Sequence, residues 1–427
     1  MPAFAALRVP AYRRLLLGVT STEVGLYAFE TALFWTVLER TGSAVHVSLL
    51  FVGLMLPVLV LTVPIGVLTD RVGPRTLLLW SSIAAAFVVG LAGVLAATTG
   101  VGFEVALLLA VAEGVFFGCY AVPAQVVAGR VVDRAHISSA IGLSAIPSGV
   151  GSIIGGALGG FLLTVSGPAP TFIVAAVGLA LSVPAIAGLP ALPGLEHAGG
   201  MALTDVRSAL RWVRASPVAT AIVLLGAVAG LFVMSRFSLL PVVVRDVLEG
   251  GPGDLGLLTT GGGAGMLLGT VMTDVSGRRL GRGRALLLAL ALAALGLAGL
   301  GVSSVVGVAV ALAGLIAAAT MIYHLTSATL LQLLAPARMR GRVLAIFDVI
   351  RLGFVPVGSL AAGAVVDGLG ASSVLLVYGG LTLAAVVVTA TAFAALRAVD
   401  PEREAAAGLE PATTAGHSIS GIEPPFE

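Results

Sequence analysis

Lysine is absent from this 427-residue chain, and cysteine occurs once. The lone thiol, Cys119, excludes an internal disulfide, and its apolar surroundings suit a small packing residue. All 23 basic residues are arginine, and with 21 acidic residues the net charge is only +2. That balance offers no electrostatic basis for a nucleic-acid partner. Charged residues make up 10% of the chain, against about 25% in soluble domains. No metal-ligand cluster, no Gly-Lys-Ser/Thr phosphate loop and no nucleophile elbow is present. Neither a metal nor another cofactor is therefore expected, and no nucleotide-driven pump.

What the chain has instead is apolar sequence. Hydrophobic residues reach 58%, with a mean hydropathy of +1.10. Such a surface needs lipid as its outer solvent, and a spanning helix needs roughly 20 apolar residues. The runs predict spans at 15–38, 45–69, 76–98, 104–128, 138–163 and 170–190, then at 217–241, 255–273, 285–302, 306–331, 343–366 and 373–396. The expectation is an all-α membrane protein with twelve transmembrane helices in two pseudo-symmetric six-helix bundles. Residues 1–190 form the first bundle, 191–216 a cytoplasmic linker with a short amphipathic helix, 217–396 the second bundle, and 397–427 a disordered tail.

Arginine placement tests the count. With both termini cytoplasmic, the inside segments hold 19 of the arginines and the outside loops only Arg40 and Arg245. That asymmetry fits the positive-inside rule and predicts a multi-pass protein of the cell membrane. The halves also echo each other: TDRVGPRTLLL follows the second span and TDVSGRRLGRGRALLL the eighth. Internal repeats of this kind suggest a transporter.

Gly66, Asp70, Arg71, Gly73 and Arg75 lie between two uncharged runs. They match the signature between the second and third helices of the major facilitator superfamily, with Pro74 where a basic residue is usual. Gly142, Gly151, Gly155, Gly159 and Gly160 keep the glycine spacing of that superfamily's antiporters in the fifth helix, and Gly156 replaces the proline. The stretches YRRLLLG to WTVLERTGSA and RGRVLAIFDVIRLGFVPVGSLAAGAVVDGLG resemble the drug-efflux branch that includes macrolide and siderophore exporters. The resemblance covers about residues 8–396 and implies no particular substrate. It implies a cavity lined by helices 1, 4, 7 and 10, with helices 3, 6, 9 and 12 toward lipid. It also places Asp70 near the start of the eleventh helix, as part of a cytoplasmic latch in which Arg71 or Arg75 pairs with Asp348 or Asp133. A solvated turn that merely sets topology is the alternative.

The charges inside the spans are segregated as that architecture requires. Spans 3, 6, 9 and 12 carry none, whereas spans 1, 4, 7 and 10 carry Glu23 and Glu30, Glu113, Arg236, and His324. Asp348 and Arg351 in span 11 are three apart and are expected to pair or to serve the latch. A charge at mid-membrane costs about 2.5–3.5 kcal/mol on insertion scales, so these positions need wet or paired surroundings. Glu23, Tyr27, Glu30 and Phe34 share one helix face; Glu113, Phe116, Phe117 and Tyr120 form a similar stripe. A carboxyl in low dielectric favours its neutral form, which makes Glu30 and Glu113 the expected proton carriers. Glu23, Tyr27, Phe34, Phe116, Phe117, Tyr120, Arg236 and His324 are the expected substrate contacts. Structural pairs, Glu30 with Arg236 or Glu113 with His324, are the competing expectation, as is an Arg236 that snorkels to the surface. The small-residue repeats at Gly155 and Gly159, and at Gly261, Gly265 and Gly269, allow close helix approach, either for static packing or for sliding.

The expected function is export of an amphipathic small molecule in exchange for protons by a monomer in the lipid bilayer. Proton-coupled uptake is the alternative, and a membrane sensor or intramembrane enzyme a remote one.

Overall fold

Proline and glycine set the helix boundaries. In the computed structural model, which describes residues 6–133, 140, 143–194 and 203–398, proline occupies the first turn of six of the spanning helices. There its missing N–H costs no bond. The helices are α1 (Pro10–Thr41), α2 (Ala44–Val72), α3 (Pro74–Thr98), α4 (Phe103–Val131), α5 (Ile146–Ser166) and α6 (Pro168–Ala187). After an amphipathic helix at Leu203–Ala215 come α7 (Pro217–Asp246), α8 (Pro252–Leu280), α9 (Arg282–Val302) and α10 (Val306–Leu334). The helical stretch Arg340–Ala392 breaks at Gly370 into α11 (340–369) and α12 (371–392). No strand occurs among the described residues.

Ten of these stretches are long and apolar enough to cross a membrane, the α11–α12 stretch being counted as one. Its reversal at Gly370 and the more polar α1 bring the spans to twelve. The predicted spans recur with shifted ends. The fifth, expected from residue 138, begins as a described helix at Ile146. Gly142, residues 195–202 of the linker and the tail from 399 lie outside the described residues.

The two halves repeat a backbone conformation that composition does not reveal. Gly73, between α2 and α3, has φ 93 and ψ 136, and Gly281, between α8 and α9, has φ 81 and ψ 140. Gly167 and Gly370 form a second such pair, at φ 78 and φ 77, before α6 and α12. Only glycine adopts these angles without strain. The charged turn between the second and third spans is thereby corrected. α2 runs through Gly66, Asp70 and Arg71 to Val72, α3 starts at Pro74, and Gly73 alone makes the turn.

α3, α6, α9 and α12 face outward, with Phe87, Leu181, Leu295 and Val388 each more than half exposed. In water such a surface would be untenable; lipid solvates it. α5 carries two glycine faces. Gly151, Gly155 and Gly159 abut Glu23, Val24 and Ala28 of α1 in the same half. Gly149, Gly156 and Gly160 abut Leu267, Thr259 and Gly256 of α8 in the other half. α8 repeats the plan, with Gly261, Gly265 and Gly269 against Val310, Gly314 and Ala318 of α10. The repeats at Gly155 and Gly159 and at Gly261, Gly265 and Gly269 thus pack each helix within its own half, while a different set of glycines, Gly149, Gly156, Gly160, Gly256 and Gly263, forms the seam between halves.

That seam is closed toward the face that bears Arg40. There α2 and α11 meet at Ser48 and Gly363, and Ser152 Oγ donates to the Thr259 carbonyl at 2.8 Å. Toward the face that bears Asp70, a cavity of about 730 Å³ reaches from Tyr12 and Gly129 inward to Glu23 and His324.

Candidate functional site

A second cavity, of about 340 Å³, lies between the halves near the middle of the bundle. Its wall is built first by α1. Helical spacing places Glu23, Tyr27, Glu30 and Phe34 on one face, and all four line the cavity. α4 supplies Glu113 and Phe117. A Cβ on Gly114 would run into the Leu54 carbonyl, so this glycine lets α4 close on α2. The opposite wall is Arg236 and Phe237 of α7, with Leu255, Leu258 and Thr259 of α8 and Ala313 of α10.

The carboxyls are not equivalent. Glu23 is buried and accepts a hydrogen bond from Tyr120 Oη at 3.0 Å. It lines both cavities, as does Phe117, so the two residues stand between them. Glu30 and Glu113 face each other across α1 and α4. Glu113 is only 3% exposed, and neither of its oxygens makes a well-formed hydrogen bond. Among the described residues no ion pair joins an acid of this cavity to Arg236. Both expected structural pairs are absent there, since His324 lines the larger cavity beside Asp348.

Arg236 follows, after Ser235, a π-helical turn, Ala229–Met234, inside α7. Such a turn inserts an extra residue per hydrogen-bonded loop and rotates the next stretch of helix about its axis. The turn is pressed against α11, where a Cβ on Gly230 would strike the Arg351 carbonyl and one on Gly358 the Leu231 carbonyl. Arg236 is 3% exposed, donates from Nη1 to the Val233 carbonyl at 3.0 Å, and lies 4.2 Å over the Phe237 ring. It does not snorkel. Aromatic contacts continue from Phe237 to Phe51 at 6.4 Å and from Phe51 to Phe34 at 6.2 Å.

The other expected residues are dispersed. Tyr120 lines the larger cavity only, and Phe116 lines neither, packing instead against the core. His324 stacks on Phe347, with ring centroids 6.0 Å apart. Asp348 pairs with Arg351 at 3.0 Å, and Arg351 also donates to Met234 Sδ at 3.0 Å, tying α11 to the π-turn. Asp70 meets neither of them. Its partner is Arg130, at 4.0 Å, and Arg75 donates to the Ala187 carbonyl at 2.6 Å. Met55, Phe51, Phe237, Ser152 and Thr259 also line the central cavity. Hydropathy does not single them out, because apolar and small residues fill every span.

Two wide bundles, glycine seams and a polar cavity between them make a transporter scaffold, and residues 1–415 match the model of a family described as transmembrane secretion effectors. The chain belongs to that family, within the major facilitator superfamily. It is a multi-pass membrane transporter and not an enzyme. The multidrug efflux pump Tap of Mycolicibacterium fortuitum is 28% identical over 367 residues, which is 80% of this chain and 86% of that one. Among solved structures, a mutant of the nucleoside transporter NupG superposes with a TM-score of 0.74 at 12% identity, covering 90% of this chain and 99% of that one. A bacterial homologue of the human lysosomal transporter Spinster gives 0.64 at 15% identity, over 91% and 97%. These likenesses carry the fold.

Proposed function

We propose that this protein exports amphipathic small molecules across the cell membrane in exchange for protons. The observation that carries the reading is the Glu30–Glu113 pair at the central cavity. Two carboxyls facing each other across a largely apolar cavity repel when both are charged, so a proton shared between them is the least costly arrangement. A cation entering beside them favours loss of that proton, and its departure favours regaining one. Substrate and proton thus compete for one site, which is what antiport requires. The resemblance to the efflux branch and the likeness to a multidrug efflux pump support the outward direction.

In this reading residues 1–190 and 217–396 are the two rocking units, joined by 191–216. The Asp70 face is cytoplasmic, as are both termini, and the larger cavity is the entry path. Glu23, Phe117 and Tyr120 contact substrate along that path, and Tyr27 and Phe34 contact it in the central cavity. The glycine face between α5 and α8 parts when the opposite side opens, since helices meeting through backbone have few side chains to unlock. Asp70, Arg71 and Arg75 govern opening and not ligand choice.

The test is a panel of labelled compounds in inside-out vesicles with an imposed pH gradient. Accumulation that a protonophore abolishes supports the reading. Accumulation that survives the protonophore overturns proton coupling.

A further inference from the structure

The central cavity is bipolar: Glu23, Glu30 and Glu113 all lie on the first half, and the second half contributes one cation to its lining, Arg236. Arg236 is 3% exposed, yet its Nη1 bond to a backbone carbonyl is the only hydrogen bond it makes among the described residues. A guanidinium has five N–H donors, and leaving them unmet in a buried site is costly. Phe237 supports the face of the guanidinium at 4.2 Å but accepts no in-plane hydrogen bond. The side chain lines the central cavity, two residues beyond the end of the π-turn. The donors therefore point where a ligand sits.

We infer that Arg236 forms a distinct anion subsite, so that the cavity takes zwitterionic amphiphiles: an amine or iminium at the carboxyl wall, a carboxylate at Arg236, and an apolar body between. The aromatic chain Phe34–Phe51–Phe237 lines the path from one pole to the other. A purely cationic compound satisfies only the first pole and leaves the arginine unmet. The inference rests on the export reading for its biological sense but is tested by binding alone.

Rhodamine B and its ethyl ester form a matched pair of probes, the first carrying a free carboxylate and the second only the cationic ring system. Their binding to the purified full-length protein in lipid nanodiscs is read by fluorescence polarisation. A charge-assisted hydrogen-bonded pair predicts that rhodamine B binds about tenfold or more tightly than the ester. In Arg236→Gln the acid falls to the level of the ester while the ester is unchanged, and Arg236→Lys recovers part of the preference. Equal binding of the two dyes to the native protein, binding of neither, or equal weakening of both by Arg236→Gln overturns the subsite. None of these outcomes bears on the vesicle assay, which reads gradient-driven flux of any compound. Arg236→Gln protein that is not monodisperse is replaced by Arg236→Lys alone, for which an unchanged preference ratio overturns the inference.

Discussion

Arg130 joins Asp70 to the start of the linker between the halves. Its Nη2 stands 4.0 Å from Asp70 Oδ1, and its Nη1 donates to the Pro193 carbonyl at 3.0 Å. The chain there is tightly fitted. A Cβ on Gly194 would collide with the Asp70 carbonyl, and one on Gly73 would lie 2.7 Å from the Leu192 carbonyl. Arg14 and Arg75 hold the same segment through the carbonyls of Gly188 and Ala187. The signature at the α2–α3 turn therefore grips the linker of its own half in this conformation, and among the described residues no ion pair joins Asp70 to α11.

This arrangement predicts a kinetic phenotype with little loss of stability. Asp70 and Arg130 are each about one-quarter exposed, and a pair of that kind contributes about 0–1 kcal/mol. Asp70→Asn and Arg130→Gln should each leave thermal unfolding in detergent nearly unchanged while lowering the initial rate of vesicle transport several-fold. Unaltered rates in both variants would remove the turn from gating.

The two glycine faces of α5 should respond differently to enlargement. A Cβ at Gly160 lies 2.6 Å from the Pro252 carbonyl and 2.8 Å from Gly256 Cα, across the seam between halves. Gly160→Val should splay α5 from α8 while each half stays folded, at a cost of about 1–3 kcal/mol. A cysteine at Thr259, in a Cys119→Ser background, should then react faster with an impermeant maleimide added from the Arg40 side. Gly155 abuts Val24 and Ala28 inside one half, so Gly155→Val should instead reduce the yield of folded protein. Identical behaviour of the two variants would refute the division of faces.

Glu30 and Glu113 should act as one unit. Glu30→Gln, Glu113→Gln and the double variant are each expected to abolish the dependence of flux on the pH gradient, with the double no worse than either single. Such non-additivity is the signature of groups in contact. The measured quantity is the ratio of flux with and without the gradient. Additive losses, or full dependence retained in both singles, would show that the proton is carried elsewhere.

Arg71 is exposed at the end of α2. Arg71→Cys in the Cys119→Ser background should be modified by an impermeant maleimide in inside-out vesicles and protected in right-side-out ones. Labelling from the outside would invert the proposed topology.

Apolar run length and arginine position by themselves determined that twelve helices cross a membrane, since a bilayer excludes both unpaired backbone and unpaired charge. Glu23, Glu30, Glu113 and Arg236 stood out for the same reason: a charge in an apolar run has no other excuse. Contacts were another matter. Lipid and protein interior are equally apolar, so hydropathy does not mark which side of a membrane helix meets a neighbour. Phe116 and Phe117 are adjacent, yet only Phe117 reaches a cavity. Gly155 and Gly156 are adjacent, yet one packs α1 and the other α8. Only the tertiary structure decided that Glu30 faces Glu113 while Arg236 has no ion-pair partner among the described residues. The crossing of helices distant in sequence sets those distances, and no local pattern of residues encodes them.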